Sequence, residues 1–203
     1  MGQKFFITGT DTNVGKTYYS VKLLKKYAKE GYSTLGVKPI SSGYNANTKI
    51  NDDAKKLYEA SSIKIPMKEI NPFTFRDPIA PSIAAKNEQV ELNVSNIMKE
   101  MDRIKKYNTD IEIVEGVGGW EVPINEKENM SDLVKALDIP VILVVAIKLG
   151  CLNHAILTAN AINQKKIKTV GWVANCISKD ELEVEENINT LKSKLNMKFL
   201  GKV

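Results

Sequence analysis

The chain is poor in residues that build several common kinds of site. It has one histidine, His154, in 203 residues, which argues against a zinc centre made of imidazoles and against a histidine-based triad. Its two cysteines, Cys151 and Cys176, stand far apart and form no C-x-x-C pair. Neither a disulfide framework nor a redox motif is expected, and a reducing, cytoplasmic setting is the simplest reading. No run of about 18 apolar residues occurs, so no membrane-spanning helix is expected. Strand-like residues begin close to Met1, without the layout of a secretory signal. Internal repeats and low-complexity tracts are also missing.

What is present is the composition of an ordinary globular protein, 43% hydrophobic and 26% charged, at a length that suits one compact domain, residues 1–203. The net charge of +5 comes from lysines spread over helix-like stretches, among them Lys25, Lys29, Lys55, Lys56, Lys105 and Lys165. Spacing of this kind reads as solvated helix faces. No basic stripe is interleaved with aromatics, so a nucleic-acid partner is not expected.

Strand-like and helix-like stretches alternate. "KFFIT" (4–8) is a short apolar strand, followed by a helix over 16–30 whose face carries Val21, Leu24 and Ala28. "STLGVK" (33–38) reads as a second strand, and residues 39–52 as a polar loop leading to a short helix near 53–60. Residues 66–81 hold four prolines and read as an irregular connection. A helix over 95–107 precedes the strand "IEIVE" (111–115). The unbroken apolar run "PVILVVA" (140–146) suits a central parallel strand buried on both faces. A helix near 153–164, the strand "TVGWVAN" (169–175) and a helix over 182–195 complete the pattern. Alternation of this kind predicts an α/β fold, a parallel sheet with helices on both faces. Ligands of such sheets bind beyond the carboxyl ends of the strands. Residues 9–17, 38–42, 115–119, 148–153 and 175 all follow strand ends and should converge on one edge.

"GTDTNVGKT" (9–17) has the strand–loop–helix context of a phosphate cradle. Its early glycine, Gly9, stands one place before the usual spacing. Backbone N–H groups of Asn13, Val14, Gly15 and Tyr18 would face an anion at the helix start. Lys16 would reach the outer phosphates, and the Thr17 hydroxyl would bind Mg²⁺. Glu115 ends a strand and can approach the same metal, while "EGVGG" behind it, with Gly116, Val117 and Gly118, lets backbone come close to a ligand. Lys38, at the end of strand two, would face the phosphate loop across the crevice. Asp53 follows a polar loop at a helix start and by itself reads as a helix cap. "LGCLNH" (149–154), which contains Gly150, Cys151, Leu152 and Asn153, offers a second set of free helix N–H groups. Asn175 ends a strand, and its amide could pair with adenine by donor and acceptor together. The following "NCIS" lacks the Lys and Asp of guanine-specific switches.

Taken in order, "GTDTNVGKT", "GVKPISSG", "NPFTF", "VEGVGGW", "PVILVVAIKLGCLNH" and "GWVAN" resemble the dethiobiotin synthetase family from residue 5 to about 176, the early glycine included. The resemblance implies a P-loop NTPase-like fold. It also implies ATP- and Mg²⁺-dependent closure of a ureido ring on 7,8-diaminopelargonic acid with CO₂ or bicarbonate, through a carbamate and a carbamic–phosphoric anhydride. It casts Thr12, Lys16 and Lys38 as catalytic and Thr17, Asp53 and Glu115 as surrounding the metal. Thr12, Lys38, Ser42 and Gly118 would hold the substrate, and Asn175 with Cys176 the base. It further implies a homodimer in which Gly150–Asn153 of one subunit meet the substrate carboxylate of the other. Val117 stands where alanine is common. Relatives run on beyond a segment like "LGKV" (200–203) into residues that hold adenine and ribose, so the base-binding wall is expected to be incomplete or supplied otherwise.

Two rival readings share the fold. A positioning ATPase of the partition or division-site type would carry a signature lysine early in the loop, where this chain has Thr-Asp-Thr. An amidotransferase-type synthetase would need a glutaminase domain, for which the chain has no room.

Overall fold

In the computed structural model, residues 2–176 and 181–203 are described. Six strands form one parallel sheet: β1 (Gln3–Gly9), β2 (Thr34–Val37), β5 (Ile111–Glu115), β6 (Val141–Ala146), β7 (Thr169–Asn175) and β8 (Phe199–Lys202), in the order β2-β5-β1-β6-β7-β8. A separate two-stranded sheet pairs β3 (Ile40–Ser42) with β4 (Phe73–Phe75), also parallel. The helices are α1 (Lys16–Lys29), α2 (Asp52–Ala60), α3 (Met67–Ile70), α4 (Pro81–Asn87), α5 (Val94–Arg103), α6 (Met130–Leu137), α7 (Cys151–Gln164) and α8 (Val184–Lys194).

Side chains alternate along each strand, and the alternation divides the core. Ile7, Ile113, Ile142 and Val144 point to the face covered by α1 and α2, through Leu24 and Leu57. Phe6, Val114, Leu143 and Val145 point to the opposite face, where Ile97, Leu133, Ala155 and Leu191 of α5, α6, α7 and α8 cover them. Every residue of β6 is buried, as a central strand between two helix layers requires.

Several sequence expectations change. The polar stretch 39–52 opens with β3, and the proline-rich connection 66–81 contains α3 and β4. The expected helix over 95–107 is α helix only to Arg103 and finishes as a 3₁₀ turn over Ile104–Tyr107. α4, α6 and β8 were not foreseen. Of the positions where Lys and Asp are missing after Asn175, Cys176 is described and Ser178 lies outside the described residues.

The register places the strand ends together. Ile7 pairs with Glu115 and Val37 with Val114, so the phosphate loop, Lys38 and Glu115 leave the sheet side by side. Beyond Val37 the chain leaves the main sheet. Lys38 N–H donates to the Ile70 carbonyl at 2.9 Å, and Pro39 turns the chain into the small sheet.

Candidate functional site

The loop after β1 is shaped by two left-handed residues, Asn13 (φ 55°) and Gly15 (φ 94°), the second of which caps α1. A side chain on Gly15 would be strained at that φ, and its Cβ would stand 1.9 Å from Asn175 Nδ2. That contact is part of the loop's support, because Asn175 Nδ2 donates to the Val14 carbonyl at 2.8 Å. The sequence reading gave this amide to a base by donor and acceptor together. The structure commits one of its hydrogens to the phosphate loop and buries most of the side chain.

Lys16 begins α1 and is buried. Its ammonium donates to the carbonyls of Asp11 at 2.8 Å and Gly118 at 2.6 Å, joining the phosphate loop to the glycine turn after β5. Burial first, and then the nearby Lys38 charge, bring its pKa down to about 8.

Glu115 is fully buried at the end of β5. Its Oε1 accepts from Lys38 Nζ at 2.7 Å and from the Thr17 hydroxyl at 2.8 Å. Its Oε2 is buried with no partner among the described residues. Lys38 also reaches the Gly116 carbonyl at 3.2 Å and Asp53 Oδ2 at 3.5 Å. Burial pulls the Lys38 pKa down, but its ion pairs with Glu115 and Asp53 outweigh that, and the net direction is up. Lys38 therefore stays charged.

Asp53 is not the helix cap. That place belongs to Asn51, whose side chain accepts from the Asp53 and Ala54 N–H groups, and Asp53 lies in the first turn of α2. Sequence reasoning missed Asn51, although a helix start two residues earlier would have offered it as the cap.

Lys16, Thr17, Lys38, Asn51 and Asp53 line a cavity of about 810 Å³, which also holds Thr12, Ser42, Val117 and Gly118; Glu115, Gly116, Asn175 and Cys176 do not line it, and Glu115 lies behind Lys38 and Thr17. Ser42 Oγ is buried without a partner among the described residues. Four lining features were not foreseen: Asn51, Lys56, the stretch Pro78–Pro81, and Val122. Lys56 had been read as part of a solvated helix face. Pro78, Ile79 and Val122 give the cavity an apolar part of its lining.

A second cavity, of about 360 Å³, opens near the start of β1 and β5. Its charged residues already pair with one another, Lys4 with Glu112 at 2.7 Å and Lys105 with Asp102 at 2.5 Å.

Gly150, Cys151, Leu152 and Asn153 do not line the larger cavity of their own chain. Gly150 (φ 88°) starts α7, Cys151 is buried, and Asn153 faces solvent beside the almost fully exposed Leu149. Cys176 is half-buried; its N–H donates to the Val203 carbonyl at 2.9 Å, and burial raises its thiol pKa. Both cysteines are free thiols. Among the described residues, no helix is long and apolar enough to cross a membrane.

A glycine-lysine-threonine loop between β1 and α1, with a buried acid at the end of the neighbouring strand, defines a P-loop NTPase. Solved structures agree on the fold. The MinC:MinD cell division complex of Aquifex aeolicus matches with a TM-score of 0.58 at 16% identity, over 100% of this chain and 81% of that one. A ParA family ATPase from Chlorobium tepidum matches with a TM-score of 0.58 at 12% identity, over 100% and 83%. Identities this low speak for the fold alone. A family model described as an AAA domain matches residues 3–203. Curated relatives carry the identification further. The ATP-dependent dethiobiotin synthetase BioD of Pseudomonas paraeruginosa is 40% identical over 201 residues, covering 98% of this chain and 88% of its own length. That of Vibrio vulnificus is 40% identical over 205 residues, covering 100% and 90%. That of Francisella tularensis is 38% identical over 203 residues, covering 99% and 89%. The chain belongs to the ATP-dependent dethiobiotin synthetases, a family of cyclo-ligases.

Proposed function

We propose that this enzyme closes the ureido ring of 7,8-diaminopelargonic acid with CO₂, using ATP and yielding dethiobiotin, ADP and phosphate. One observation carries the reading. Lys16, Thr17, Lys38 and Asp53 line one cavity that also has the apolar residues Pro78, Ile79 and Val122, and the buried Glu115 carboxylate accepts from Lys38 and Thr17 behind it. Triphosphate and carbamate suit the charged residues; an aliphatic chain suits Pro78, Ile79 and Val122.

The donor set fits Mg²⁺. Glu115 Oε2 is buried with no partner among the described residues, and the Thr17 hydroxyl already lies on the same carboxylate. Magnesium is held by one or two carboxylates together with substrate phosphates, so no cage of protein ligands is needed. Thr17, Asp53 and Glu115 would hold it. When bound, it neutralises charge that builds up between the phosphates.

In the proposed sequence, one substrate amine adds to CO₂ and loses a proton to give a carbamate. A carbamate oxygen attacks the γ-phosphorus of ATP, the bond to the ADP oxygen breaks, and a carbamic–phosphoric anhydride forms. The second amine then attacks the carbamoyl carbon, closes the ring and expels phosphate. Phosphoryl transfer between anions depends on positioned charge. The Asn13–Tyr18 backbone cradles the phosphates, with Gly116 and Val117 alongside. Lys16 faces the outer phosphates. Lys38, held charged, steadies the carbamate and the transferring group. The Thr12 and Ser42 hydroxyls and the Gly118 backbone orient the substrate. Asn175 and Cys176 flank the base. Gly150, Cys151, Leu152 and Asn153 of a second copy receive the substrate carboxylate, which accords with their distance from their own chain's cavity.

The test is formation of ADP that requires both diaminopelargonate and bicarbonate, with one dethiobiotin per ADP. Hydrolysis driven instead by DNA or lipid vesicles would replace this reading with a positioning ATPase.

A further inference from the structure

The segment between β3 and α2 is tied at both ends by one side chain. Asn51 is buried, at 7% exposure, and borders the cavity. Its Oδ1 accepts from Asp53 N–H at 3.1 Å and Ala54 N–H at 3.2 Å, which fixes the first turn of α2 and with it the Asp53 carboxylate. Its Nδ2 donates to the Gly43 carbonyl at 2.7 Å and lies 3.5 Å from that of Ser42. Gly43 is left-handed, φ 80°, and its N–H donates to Phe75 O at 3.0 Å, so the chain turns away from the small sheet at that point. The two halves of one amide thus face two halves of the site. The oxygen sets the acid beside Lys38, and the nitrogen sets the strand end that carries Ser42.

We infer that Asn51 is a positioning residue that holds Ser42 and Asp53 in register across the cavity. Its amide nitrogen bears on the diamine side and its amide oxygen on the Asp53 side. Capping alone would be met by serine or aspartate as well as by asparagine. Only the longer amide can both cap the helix and donate to a carbonyl eight residues back. The inference rests on the proposed reaction for its kinetic consequences, but the tie itself does not.

Asn51→Ser separates the two tasks. A serine hydroxyl still caps α2 but is too short to reach the Gly43 carbonyl. Thermal stability should stay close to wild type, and hydrogen exchange of the amides over residues 43–50 should quicken in the ligand-free protein. Loss of one such bond is expected to raise KM for diaminopelargonate roughly tenfold, while KM for ATP and kcat change far less. Asn51→Ala, which removes both halves, should lower the melting temperature and raise KM for ATP as well. Unchanged exchange over 43–50 in Asn51→Ser would overturn the tie. Quickened exchange with KM for both substrates raised equally would overturn the division of labour. If the wild type shows no diamine-dependent ADP formation, the proposed reaction fails, and the exchange measurement still decides the tie.

Discussion

Lys38 and Glu115 form a buried pair, at 3% and 0% exposure, and removing Lys38 leaves the Glu115 carboxylate without its countercharge. Lys38→Ala should therefore show two separable losses. Turnover should fall about a hundredfold, near 3 kcal/mol for one charged contact in a dry site, while ATP still binds. Stability should also fall, by about 3–5 kcal/mol, because the Glu115 carboxylate is left buried without a countercharge. The double variant Lys38→Met, Glu115→Gln should regain most of the melting temperature and none of the turnover. Turnover that recovers along with stability would remove Lys38 from the chemistry. Lys16 gives a pH prediction. Its pKa is lowered, to about 8, so between about pH 8 and its unfolded value the native chain binds fewer protons than the unfolded one. Stability of the ligand-free protein should thus rise with pH across that window, and Lys16→Met should abolish this rise. ATP favours the ammonium form, so above pH 8 binding should take up a proton and weaken by up to tenfold per pH unit. Calorimetry in buffers of different ionisation enthalpy measures the proton directly.

The phosphate loop depends on an element far away in sequence. Asn175, at the end of β7, holds the Val14 carbonyl and fills the space where a Gly15 side chain would sit. Gly15→Ala should lower ATP affinity at least tenfold, through strain at positive φ together with displacement of the Asn175 amide. Asn175→Ala should weaken ATP by a smaller factor. The double variant should lose less than the two effects multiplied, because the truncated side chain no longer blocks the new methyl; purely additive losses would disprove the coupling. The same long-range dependence decides what the sequence could reveal. β5 and β7 are legible to the residue from short stretches rich in β-branched and aromatic residues, and β6 nearly so because a strand buried between two helix layers reads as an unbroken apolar run. Lys16, Thr17 and Glu115 are legible because loop and strand end mark themselves. β3 and β4 are three residues each and exist only through pairing across some thirty positions, which local pattern does not carry. β8 is a short edge strand with a glycine inside it. α6 was within reach, since Asn129 and Asp132 form a capping box at its start. Asn51 and the apolar lining at Pro78–Pro81 enter the site only once the small sheet has brought them there.

At the scale of the whole molecule, the segment expected to meet the substrate carboxylate lies outside its own chain's cavity. Two large apolar side chains stand exposed near it: Leu149 is 97% exposed and Leu157, on α7, 60%. Exposed leucines of this size suit an interface between copies, and in the proposed dimer each Gly150–Asn153 segment meets the other copy's cavity. Subunit mixing tests this. Lys16→Ala disables the phosphate loop, and Asn153→Trp fills the segment at a solvent-facing position that should not disturb folding. Each variant alone should be nearly inactive as a homodimer. A mixed dimer has one site carrying both lesions and one carrying neither, so random exchange, with half of the dimers mixed, should restore about a quarter of wild-type activity. Native mass spectrometry follows the exchange while dethiobiotin formation is measured. If mixed dimers form and activity does not return, each copy completes its own site and the carboxylate must be bound by residues of the same chain. If Asn153→Trp alone is fully active, the segment takes no part in binding the substrate.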